Sequence, residues 1–397
     1  TLSSCLQKRG ISIVNIGLVT SPLLYFAAKK IDSKSGVMIT GSHNPKNYNG
    51  FKVVINDAPV SGLELLNFMN VELPNTEIIA HESHKTDLMD VYIKEVCSQA
   101  TCLKKMKVVV DCGNGSAGEI APKLMKALGH EVIELFCEID GNFPNHHPDP
   151  GKPENLKDLI EAVKKSNADL GIAFDGDGDR LGVVSNLGEI IFSDQLLMIF
   201  SKDVLLRNEG AKIIFDVKCS NLLAQIIEAA GGEPIMSATG HFHIKNALKK
   251  YGAPLAGEMS GHIFFNDQWY GFDDGHYSAF RLIEIIAQID KPLSFIFDDL
   301  PKAFSTPEIN IEVDESQKFN IVNNFLKNAK FPDGEKITID GLRVNFSDGW
   351  GLLRASNTTP KLVLRFEAQT SERLNEIQDL FLKQLKQIDE SIEIELS

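Results

Sequence analysis

Short apolar runs alternate with amphipathic segments and glycine stops along most of the chain. Residues 105–136 follow the order apolar run, tight turn, amphipathic helix, glycine and second apolar run, and residues 211–236 repeat that order. Residues 2–21 match the second half of the same plan, because a helix ends before Gly10 and a strand follows. Such repetition predicts tandem α/β units with mainly parallel strand pairing.

The last part of the chain has a different pattern. Residues 307–313 and 336–346 alternate apolar and polar positions, and Asp340 with Gly341 predicts a hairpin turn. A strand and a long amphipathic helix follow, so this part is predicted to be an α+β domain with antiparallel strands. The predicted domains are 1–87, 88–189, 190–301 and 302–397.

Composition and charge limit the class of protein. The chain has 397 residues, of which 43% are apolar and 24% charged, as expected for a globular protein. No apolar run approaches the ~18 residues of a membrane helix. The six cysteines form no CxxC pair, so zinc and thioredoxin chemistry find no support, and a reduced, cytoplasmic setting is expected. The net charge of −14 without a basic block argues against nucleic-acid and membrane binding.

The segment ITGSHNPKNYNGFK contains a candidate nucleophile. An apolar run at 36–39 leads into it and a second run at 51–55 leads out, so one strand should deliver Ser42 and His43 into a loop and the next should carry Lys52 away. Glycine, serine, asparagine and proline are also ordinary turn residues. From these residues alone, a reactive hydroxyl and a plain turn both stay open.

The segment LGIAFDGDGDRLGVVS contains a candidate cation site. Asp175, Asp177 and Asp179 alternate with glycines between two apolar strands, and three carboxylates this close repel one another unless a cation joins them. Oxygen ligands suit Mg²⁺ or Ca²⁺. An EF-hand is excluded because Arg180 stands where that loop needs glycine. A cation site with Arg180 on its rim suits a phosphate-bearing substrate, whereas a solvated acidic turn is the alternative.

A glycine-rich turn offers a competing function. Gly113, Gly115 and Gly118 form a G-x-G-x-x-G pattern between a strand and a helix, and Glu134 lies near the spacing of a ribose-binding acid. A dinucleotide-dependent oxidoreductase is therefore the alternative function. The preferred interpretation is a tight strand-to-helix turn without a ligand, because no later segment completes a nicotinamide site.

Two later segments carry polar groups suited to a sugar phosphate. Glu258, Ser260 and His262 would share one face of an extended segment and could bind adjacent sugar hydroxyls, although His262 also fits a half-buried structural histidine. A loop between strands would combine a guanidinium, hydroxyls and amides into a phosphate cradle, with a plain polar hairpin as the alternative. The residues of that loop are Arg354, Ser356, Asn357, Thr358 and Thr359.

Taken in order, four segments resemble the motifs of the α-D-phosphohexomutase superfamily over essentially the whole chain. TGSHNP resembles its phosphoserine loop, DGDGDR its metal loop, GEMSGH its sugar-binding loop and RASNTTP its phosphate-binding loop. The form of this motif with methionine, GEMSGH, most resembles the bacterial phosphomannomutase/phosphoglucomutase branch. The phosphoglucosamine mutase branch, which usually has glutamine there, is the alternative within the superfamily.

This resemblance implies a fold and roles for individual residues. The fold would be three tandem related α/β units with mixed sheets plus a C-terminal α+β domain, around a central cleft. The first of the four predicted domains, 1–87, would be incomplete at its N-terminus. Ser42 would carry the phosphoryl group, Lys52 and Arg180 would stabilise its charge, His43 would line the same loop, and His262 would accept or donate a proton. The implied metal ligands are Ser42, Asp175, Asp177 and Asp179.

The resemblance also implies the substrate and the activity. Hexose 1-phosphate and hexose 6-phosphate, of mannose and of glucose, would interconvert through a phosphoserine enzyme and a 1,6-bisphosphate, which would also be the activator. Mg²⁺ would be the cofactor, and the protein would be a monomer whose partner is a phosphosugar. The implied substrate-binding residues are Lys218, His241, Glu258, Ser260, His262, Arg354, Ser356, Asn357 and Thr358. A non-catalytic cation-binding module is the third alternative.

Overall fold

The structure is a computed structural model that describes residues 2–68, 83–101, 104–389 and 392. It contains two compact units. The first unit combines Thr1–Leu196 with Ser260–Phe297, and the second unit combines Leu197–Met259 with Asp298–Ser397. In the part of the chain that is described, no helix has both the length and the apolar character needed to cross a membrane.

The N-terminal part of the first unit contains short strands and helices. Strand β2 pairs antiparallel with β3, so that Met38 lies opposite Lys52, and β1 pairs parallel with β5. The helix that begins at Ser21 has proline at its second residue, where a missing N–H costs nothing. The elements are α1 (Leu2–Gln7), β1 (Ile13–Asn15), α2 (Ser21–Lys30), β2 (Gly36–Ile39), β3 (Phe51–Ile55), β4 (Ala58–Pro59), α3 (Gly62–Phe68), β5 (Ser83–Lys85) and α4 (Met89–Ser98).

A mixed sheet dominates the next part of the first unit. Strand β6 pairs parallel with both β7 and β8, and β8 and β9 form an antiparallel hairpin. The buried residues Val109, Leu159 and Val163 pack between this sheet and helix α6, which ends at Asn167 in the left-handed conformation. The elements are β6 (Lys107–Asp111), α5 (Ala117–Ala127), β7 (Glu131–Leu135), a 3₁₀ helix (Pro153–Leu156), α6 (Lys157–Ser166), β8 (Leu170–Phe174), β9 (Leu181–Ser185) and β10 (Ile190–Ile191).

The following segment repeats the α/β plan. Strand β11 pairs parallel with both β12 and β13 in the second unit, which confirms the predicted strand–helix–strand order of residues 211–236. Ser220 caps α8 by accepting a hydrogen bond from the backbone N–H of Leu222. The elements are α7 (Ser193–Arg207), β11 (Lys212–Asp216), α8 (Asn221–Ala229), β12 (Glu233–Ser237), α9 (His241–Tyr251), β13 (Leu255–Gly257), β14 (Ile263–Phe265), α10 (Gly275–Ile289) and α11 (Leu293–Asp298).

The C-terminal part is an antiparallel sheet followed by a long helix, as the sequence predicts, and a second helix that was not predicted also packs on the sheet. Strands β17, β18, β19 and β20 pair in that order, and the buried side chains of Phe325, Leu353 and Phe381 belong to one apolar core. The elements are β15 (Phe304–Ser305), β16 (Ile309–Glu312), α12 (Lys318–Asn328), β17 (Glu335–Ile337), β18 (Leu342–Phe346), β19 (Gly349–Ala355), β20 (Lys361–Ala368) and α13 (Ser371–Ile388).

Each unit contains one buried tryptophan. In the first unit, the Trp269 ring stacks on Tyr277 with a centroid distance of 4.4 Å, and Phe26 lies nearby. In the second unit, the guanidinium of Arg343 lies 3.7 Å from the centre of the Trp350 ring, whose Nε1–H donates to Glu367 at 2.8 Å. Both indoles therefore lie in rigid, specific surroundings.

Candidate active site

Three aspartates meet in the turn between β8 and β9. Because the two strands are hydrogen-bonded neighbours, residues 175–180 must reverse direction tightly, and Gly178 does so with φ of 75°. Asp175, Asp177 and Asp179 are all buried, and one carboxylate oxygen from each lies within 4.8 Å of the others. This cluster can hold a metal ion.

The loop between β2 and β3 brings Ser42 to this turn. Ser42 Oγ lies 3.2 Å from Asp175 Oδ2, and the Ser42 backbone N–H donates to Thr40 Oγ1 at 2.7 Å. The backbone of Ser42 has φ of 50°, a left-handed conformation that is uncommon for a residue with a side chain. A Cβ atom on Gly176 would overlap the Ser42 carbonyl oxygen, so glycine is needed at that position.

Lys52 lies among the aspartates. Its Nζ donates to Asp177 Oδ2 at 2.7 Å and also to Asp179 Oδ2. Burial alone would lower the pKa of Lys52, but Asp177 and Asp179 outweigh it and raise the pKa well above its usual range. Lys52 is therefore a permanent cation at the carboxylate cluster.

The aspartates differ in their acidity because their neighbours differ. Burial, with Asp179 and Asp177 nearby, raises the pKa of Asp175 well above its usual range. Burial alone would also raise the pKa of Asp179, but Lys52 and His262 hold it well below its usual range. Desolvation and mutual repulsion thus oppose full ionisation of the cluster, and a bound cation would relieve both.

The donor set fits a hard divalent cation. All the carboxylate ligands supply oxygen, as Mg²⁺ and Ca²⁺ require. Asp177 uses Oδ2 for Lys52, whereas its Oδ1 is buried and accepts no hydrogen bond from any residue that the structure describes. A buried carboxylate oxygen without a donor is costly unless a cation satisfies it. The aspartates and Ser42 would be the residues that hold the ion.

A chain of imidazole and guanidinium groups continues from Ser42. His43 Nδ1 lies 3.2 Å from Ser42 Oγ, and Arg180 Nη2 lies 3.3 Å from His43 Nε2. Arg180 Nε lies 3.4 Å from His262 Nε2, which is 3.2 Å from Asp179 Oδ1. Burial and then the Arg180 charge lower the pKa of His43 to about 2, so this imidazole is neutral at ordinary pH. The structure therefore brings together Ser42, His43, Lys52, Arg180, His262 and the three aspartates.

The prediction that residues 258–262 form an extended segment is wrong. Met259 and Ser260 form a turn, and Gly261 has φ of 102°, so the side chains do not alternate as in a strand. Ser260 nevertheless reaches the neighbouring histidine, because its Oγ lies 2.9 Å from His262 Nδ1. Glycine at 261 allows a reversal that the pattern of polar residues did not indicate.

The second unit gathers other predicted residues at one edge of its parallel sheet. Lys218 follows the end of β11, His241 follows the end of β12, and Glu258 follows the end of β13. Since parallel strands end at the same edge, these positions are brought near one another, as at ligand sites of other α/β sheets. Asp216 organises this edge, because it accepts from Thr239 Oγ1 at 2.8 Å and from the backbone N–H of Met259 at 3.0 Å.

Lys218 is buried and held from two sides. Its Nζ donates to Glu308 at 2.6 Å, and its carbonyl oxygen accepts from Arg365 at 2.5 Å. Burial alone would lower the pKa of Lys218, but Glu308 raises it above its usual value. The carbonyls of Val217 and Cys219 both accept from Arg343, so the loop that presents Lys218 is rigid.

Arg354 is placed differently from its prediction. It lies within β19, not in the loop that follows, because the ladder with β20 continues to Ala355. Its Nε donates to Asp340 Oδ2 at 2.9 Å, while its Nη2 is buried and donates to no residue that the structure describes. A buried guanidinium nitrogen whose N–H groups have no acceptor can donate hydrogen bonds to an anionic ligand.

The loop after Arg354 is organised by its own hydroxyls. Ser356 Oγ lies 2.8 Å from Thr359 Oγ1 and accepts weakly from the backbone N–H of Thr358 at 3.4 Å. Asn357 donates to the carbonyl of Thr239 at 3.3 Å. Ser356, Asn357 and Thr358 thus share one compact loop next to the segment that leads into His241.

Neighbouring loops of the protein pack directly against the glycine-rich turn. Cβ atoms added at Gly113 and Gly115 would lie 3.1 Å from Pro148 and 2.9 Å from Gly176, respectively, and one at Gly118 would overlap the Cys137 carbonyl. Glu134 pairs with Lys126 at 2.5 Å on the surface. The glycines therefore permit close packing of the turn against neighbouring loops, as the preferred interpretation expects.

Comparisons with known families and proteins cover almost the whole chain. Four domain families of phosphoglucomutase/phosphomannomutase match the chain: α/β/α domain I at residues 1–63, domain II at 90–188, domain III at 192–304 and the C-terminal domain at 308–384. A phosphomannomutase/phosphoglucomutase from Pseudomonas aeruginosa is 52% identical over 387 residues, which are 97% of this chain and 83% of the relative. The chain belongs to the phosphoglucomutase/phosphomannomutase family.

Other members of the phosphoglucomutase/phosphomannomutase family support the same conclusion. A phosphoglucomutase from Neisseria gonorrhoeae is 51% identical over 95% of this chain and 83% of its own length. The crystal structure of a family protein from Burkholderia thailandensis has a TM-score of 0.92 and 45% identity, and covers 100% of this chain and 87% of that one. The predicted superfamily, its bacterial branch and the fold class are confirmed. The domain boundaries, the central cleft and the role of each site residue stay predictions.

Sequence reasoning missed three residues that hold the predicted site residues in place. Ser21 donates to an aspartate of the metal loop, Glu308 pairs with Lys218, and Asp340 was interpreted only as a turn residue. Asp340 also accepts from the backbone N–H of Thr239 at 3.1 Å, so it joins the Arg354 strand to the loop before His241. No short motif marks these residues, because each acts across a long sequence separation.

Proposed function

We propose that this protein is a phosphohexomutase that interconverts the 1-phosphates and 6-phosphates of mannose and glucose. The observation that carries the proposal is the position of Ser42, whose hydroxyl lies 3.2 Å from Asp175 in a chain that is 52% identical to a phosphomannomutase/phosphoglucomutase. Lys52 pairs with Asp177, and Arg180 contacts His43, the neighbour of Ser42. Two cations thus lie among the residues around Ser42, where a phosphoryl group would need compensating charge.

The proposed reaction has two balanced transfers. A sugar hydroxyl attacks the phosphoryl group on Ser42, so that the bond from phosphorus to Ser42 Oγ breaks and a bond to the sugar oxygen forms. The hydroxyl proton passes to a base, for which His262 is the candidate. The resulting 1,6-bisphosphate then returns its other phosphoryl group to Ser42, and the protonated base restores the sugar hydroxyl. Added bisphosphate activates the enzyme because it phosphorylates Ser42.

Different residues of the chain would stabilise charge, hold the cation and bind the substrate. Lys52 and Arg180 would stabilise the transferring phosphoryl group, and neutral His43 would line its path. Asp175, Asp177, Asp179 and Ser42 would hold Mg²⁺, which when bound supplies positive charge beside that group. The wider substrate contacts are proposed for Lys218, His241, Glu258, Ser260 and His262.

A second cluster would bind the phosphate that is not being transferred. Arg354 offers a buried guanidinium nitrogen, and the loop of Ser356, Asn357 and Thr358 adds hydroxyl and amide groups. Since either phosphate of the bisphosphate can face Ser42, this cradle would serve both orientations. The predicted monomeric state, domain boundaries and cytoplasmic location rest on the sequence and stay predictions.

The experiment that tests this function is a coupled assay. Purified protein is given mannose 1-phosphate or glucose 1-phosphate with Mg²⁺ and a trace of glucose 1,6-bisphosphate, and formation of the 6-phosphate is measured. Turnover that Ser42→Ala abolishes, together with one phosphate on Ser42 by peptide mass spectrometry, is expected. Phosphate found only at other residues would overturn the mechanism, and turnover with glucosamine 6-phosphate alone would move the protein to the phosphoglucosamine branch.

A further inference from the structure

The proline-rich loop at residues 143–150 has no role in the reaction as described so far. It follows β7, and its sequence FPNHHPDP contains two adjacent histidines. Although polar and irregular, it is not a surface loop throughout, because Pro148, Asp149 and Pro150 are buried. An irregular segment with buried residues needs specific partners for its polar groups.

One partner of this loop is the backbone beside the reactive serine. His147 Nε2 donates to the carbonyl oxygen of His43, which is the next residue after Ser42. Pro148 packs beside Gly176, the glycine that leaves room for the Ser42 carbonyl. The loop therefore contacts both the phosphoserine loop and the metal loop.

The backbone at Ser42 needs such support. Its φ of 50° is an unfavourable conformation for a serine, and it persists only where the surroundings determine it. The Ser42 N–H is held by Thr40 on one side. On the other side, the carbonyl of His43, one peptide beyond the Ser42–His43 link, accepts a hydrogen bond from His147. These two contacts flank the strained residue.

The loop is itself anchored, so it can act as a rigid support. His146 Nε2 lies 3.1 Å from both carboxylate oxygens of Asp111, a fully buried residue at the end of β6. His146 Nδ1 lies 3.0 Å from the carbonyl of His147. Farther along, Asn155 donates to the carbonyl of Asp149 at 2.9 Å, and the Asp149 carboxylate lies 3.7 Å from Arg180.

We propose that His147 is a positioning residue that keeps Ser42 in its left-handed conformation through the His43 carbonyl. This inference rests on the proposed function only for its effect on turnover. His147 acts on the backbone beside Ser42, and this role needs only a hydrogen on Nε2. Its removal should therefore slow transfer to and from Ser42 and leave binding of the sugar phosphate largely intact.

The first test compares variants that differ in the donor. His147→Gln keeps an amide N–H near the Nε2 position, whereas His147→Met fills similar space without a donor. His147→Met should lower kcat by roughly tenfold to hundredfold and change KM less than twofold, and His147→Gln should restore most of kcat. Equal losses in the two variants, or a loss confined to KM, would overturn the role of the donated hydrogen bond.

The second test does not depend on catalysis. Hydrogen exchange of the peptide covering residues 40–50 is measured without substrate in the parent, in both variants and in His84→Ala, which alters an exposed histidine on β5. His147→Met should speed exchange in this peptide, whereas the other three proteins should agree. Unchanged exchange in His147→Met would overturn the inference. A parent without mutase activity would instead refute the proposed function, while the exchange result would still decide the role of His147.

Discussion

Ser21 donates its hydroxyl hydrogen to Asp177 Oδ2 at 2.7 Å, and its backbone N–H donates to the carbonyl of the same residue at 2.9 Å. The first residue of α2 thus donates hydrogen bonds to both the side chain and the backbone of a predicted metal ligand. Lys52 binds the same carboxylate oxygen, Oδ2. Together they fix the carboxylate so that Oδ1 is the oxygen available to a cation.

Removing the Ser21 hydroxyl should weaken cation binding. Hydrogen-bond partners of metal ligands typically contribute tenfold to hundredfold in affinity, so Ser21→Ala is expected to raise the Kd for Mn²⁺, used as a probe for Mg²⁺, by roughly that factor. Electron paramagnetic resonance titration measures the free ion directly and needs no turnover. Ser33→Ala, at an exposed serine after the same helix, is the control. Equal Mn²⁺ affinity in Ser21→Ala and the parent would contradict this role.

Asp177→Asn should abolish phosphoryl transfer while the fold survives. The substitution removes one negative charge from the ligand set and breaks the ion pair with Lys52. It should therefore lower the affinity for the cation and leave the charges around the phosphoryl group unbalanced. Circular dichroism checks the fold, and the coupled assay checks turnover over a range of Mg²⁺ concentrations. Near-normal turnover of this variant in buffer containing a chelator would show that the metal assignment is wrong.

Arg354→Ala should weaken the forward and reverse reactions alike. A charged hydrogen-bond pair to phosphate is worth roughly 2–3 kcal/mol, so kcat/KM should fall by a similar large factor with hexose 1-phosphate and with hexose 6-phosphate. Phosphorylation of Ser42 by a small phosphoryl donor, which does not need the cradle, should change little. Arg373→Ala, at a partly exposed arginine on α13, is the matched control. A loss in one direction only would mean that different groups bind the two phosphates.

Gly115→Ala should reduce stability without removing a cofactor. The new Cβ would lie 2.9 Å from backbone atoms of Gly176, and backbone cannot move aside cheaply, so a cost of roughly 1–3 kcal/mol is expected. Gly62→Ala is the control, because a Cβ there meets nothing within 4 Å. Thermal unfolding compares the two variants. Binding of NADH by the parent, lost in Gly115→Ala, would favour the dinucleotide-binding alternative instead.

The pair of His146 and Asp111 should stabilise the fold most at low pH. Burial alone would lower the pKa of His146, but the hydrogen bond to Asp111 raises it above its usual value. A group whose pKa is higher in the folded state stabilises that state fully below its unfolded pKa, about 6.5 for histidine, and less as pH rises through the folded pKa. The Tm difference between the parent and His146→Gln should therefore be largest below about pH 6 and shrink in alkaline buffer. A difference that grows with pH would contradict the assignment.

The parts of the site that lie within short segments could be predicted from the sequence. Ser42 and Lys52 stand at the ends of two apolar runs, and the aspartates alternate with glycines over five residues, so local pattern and chemistry agree. The contact between Ser21 and Asp177 spans 156 positions and that between Lys218 and Glu308 spans 90. Such contacts depend on how the sheets pack, which no local pattern records.

Local patterns also failed where two explanations gave the same residues. Asp340 lies in the connection of the predicted hairpin, between β17 and β18, but its carboxylate also accepts a hydrogen bond from Arg354. Turn chemistry alone accounts for an aspartate before glycine, so the pattern did not indicate this second contact. Arg354 itself lies in β19, because polar side chains can continue a ladder when the partner strand does. At Gly261, a single glycine reverses a segment whose polar residues suggested an extended strand.

The division of the two tryptophans between the units gives each unit its own optical signal. The chain has two tryptophans, with Trp269 stacked on Tyr277 in the first unit and Trp350 against Arg343 in the second. Emission from Trp350→Phe reports only on the first unit, and emission from Trp269→Phe only on the second. Denaturant titrations of these two variants would separate the unfolding of the unit with Ser42 from that of the unit with Arg354, so a destabilising substitution can be traced to one half of the protein by fluorescence alone.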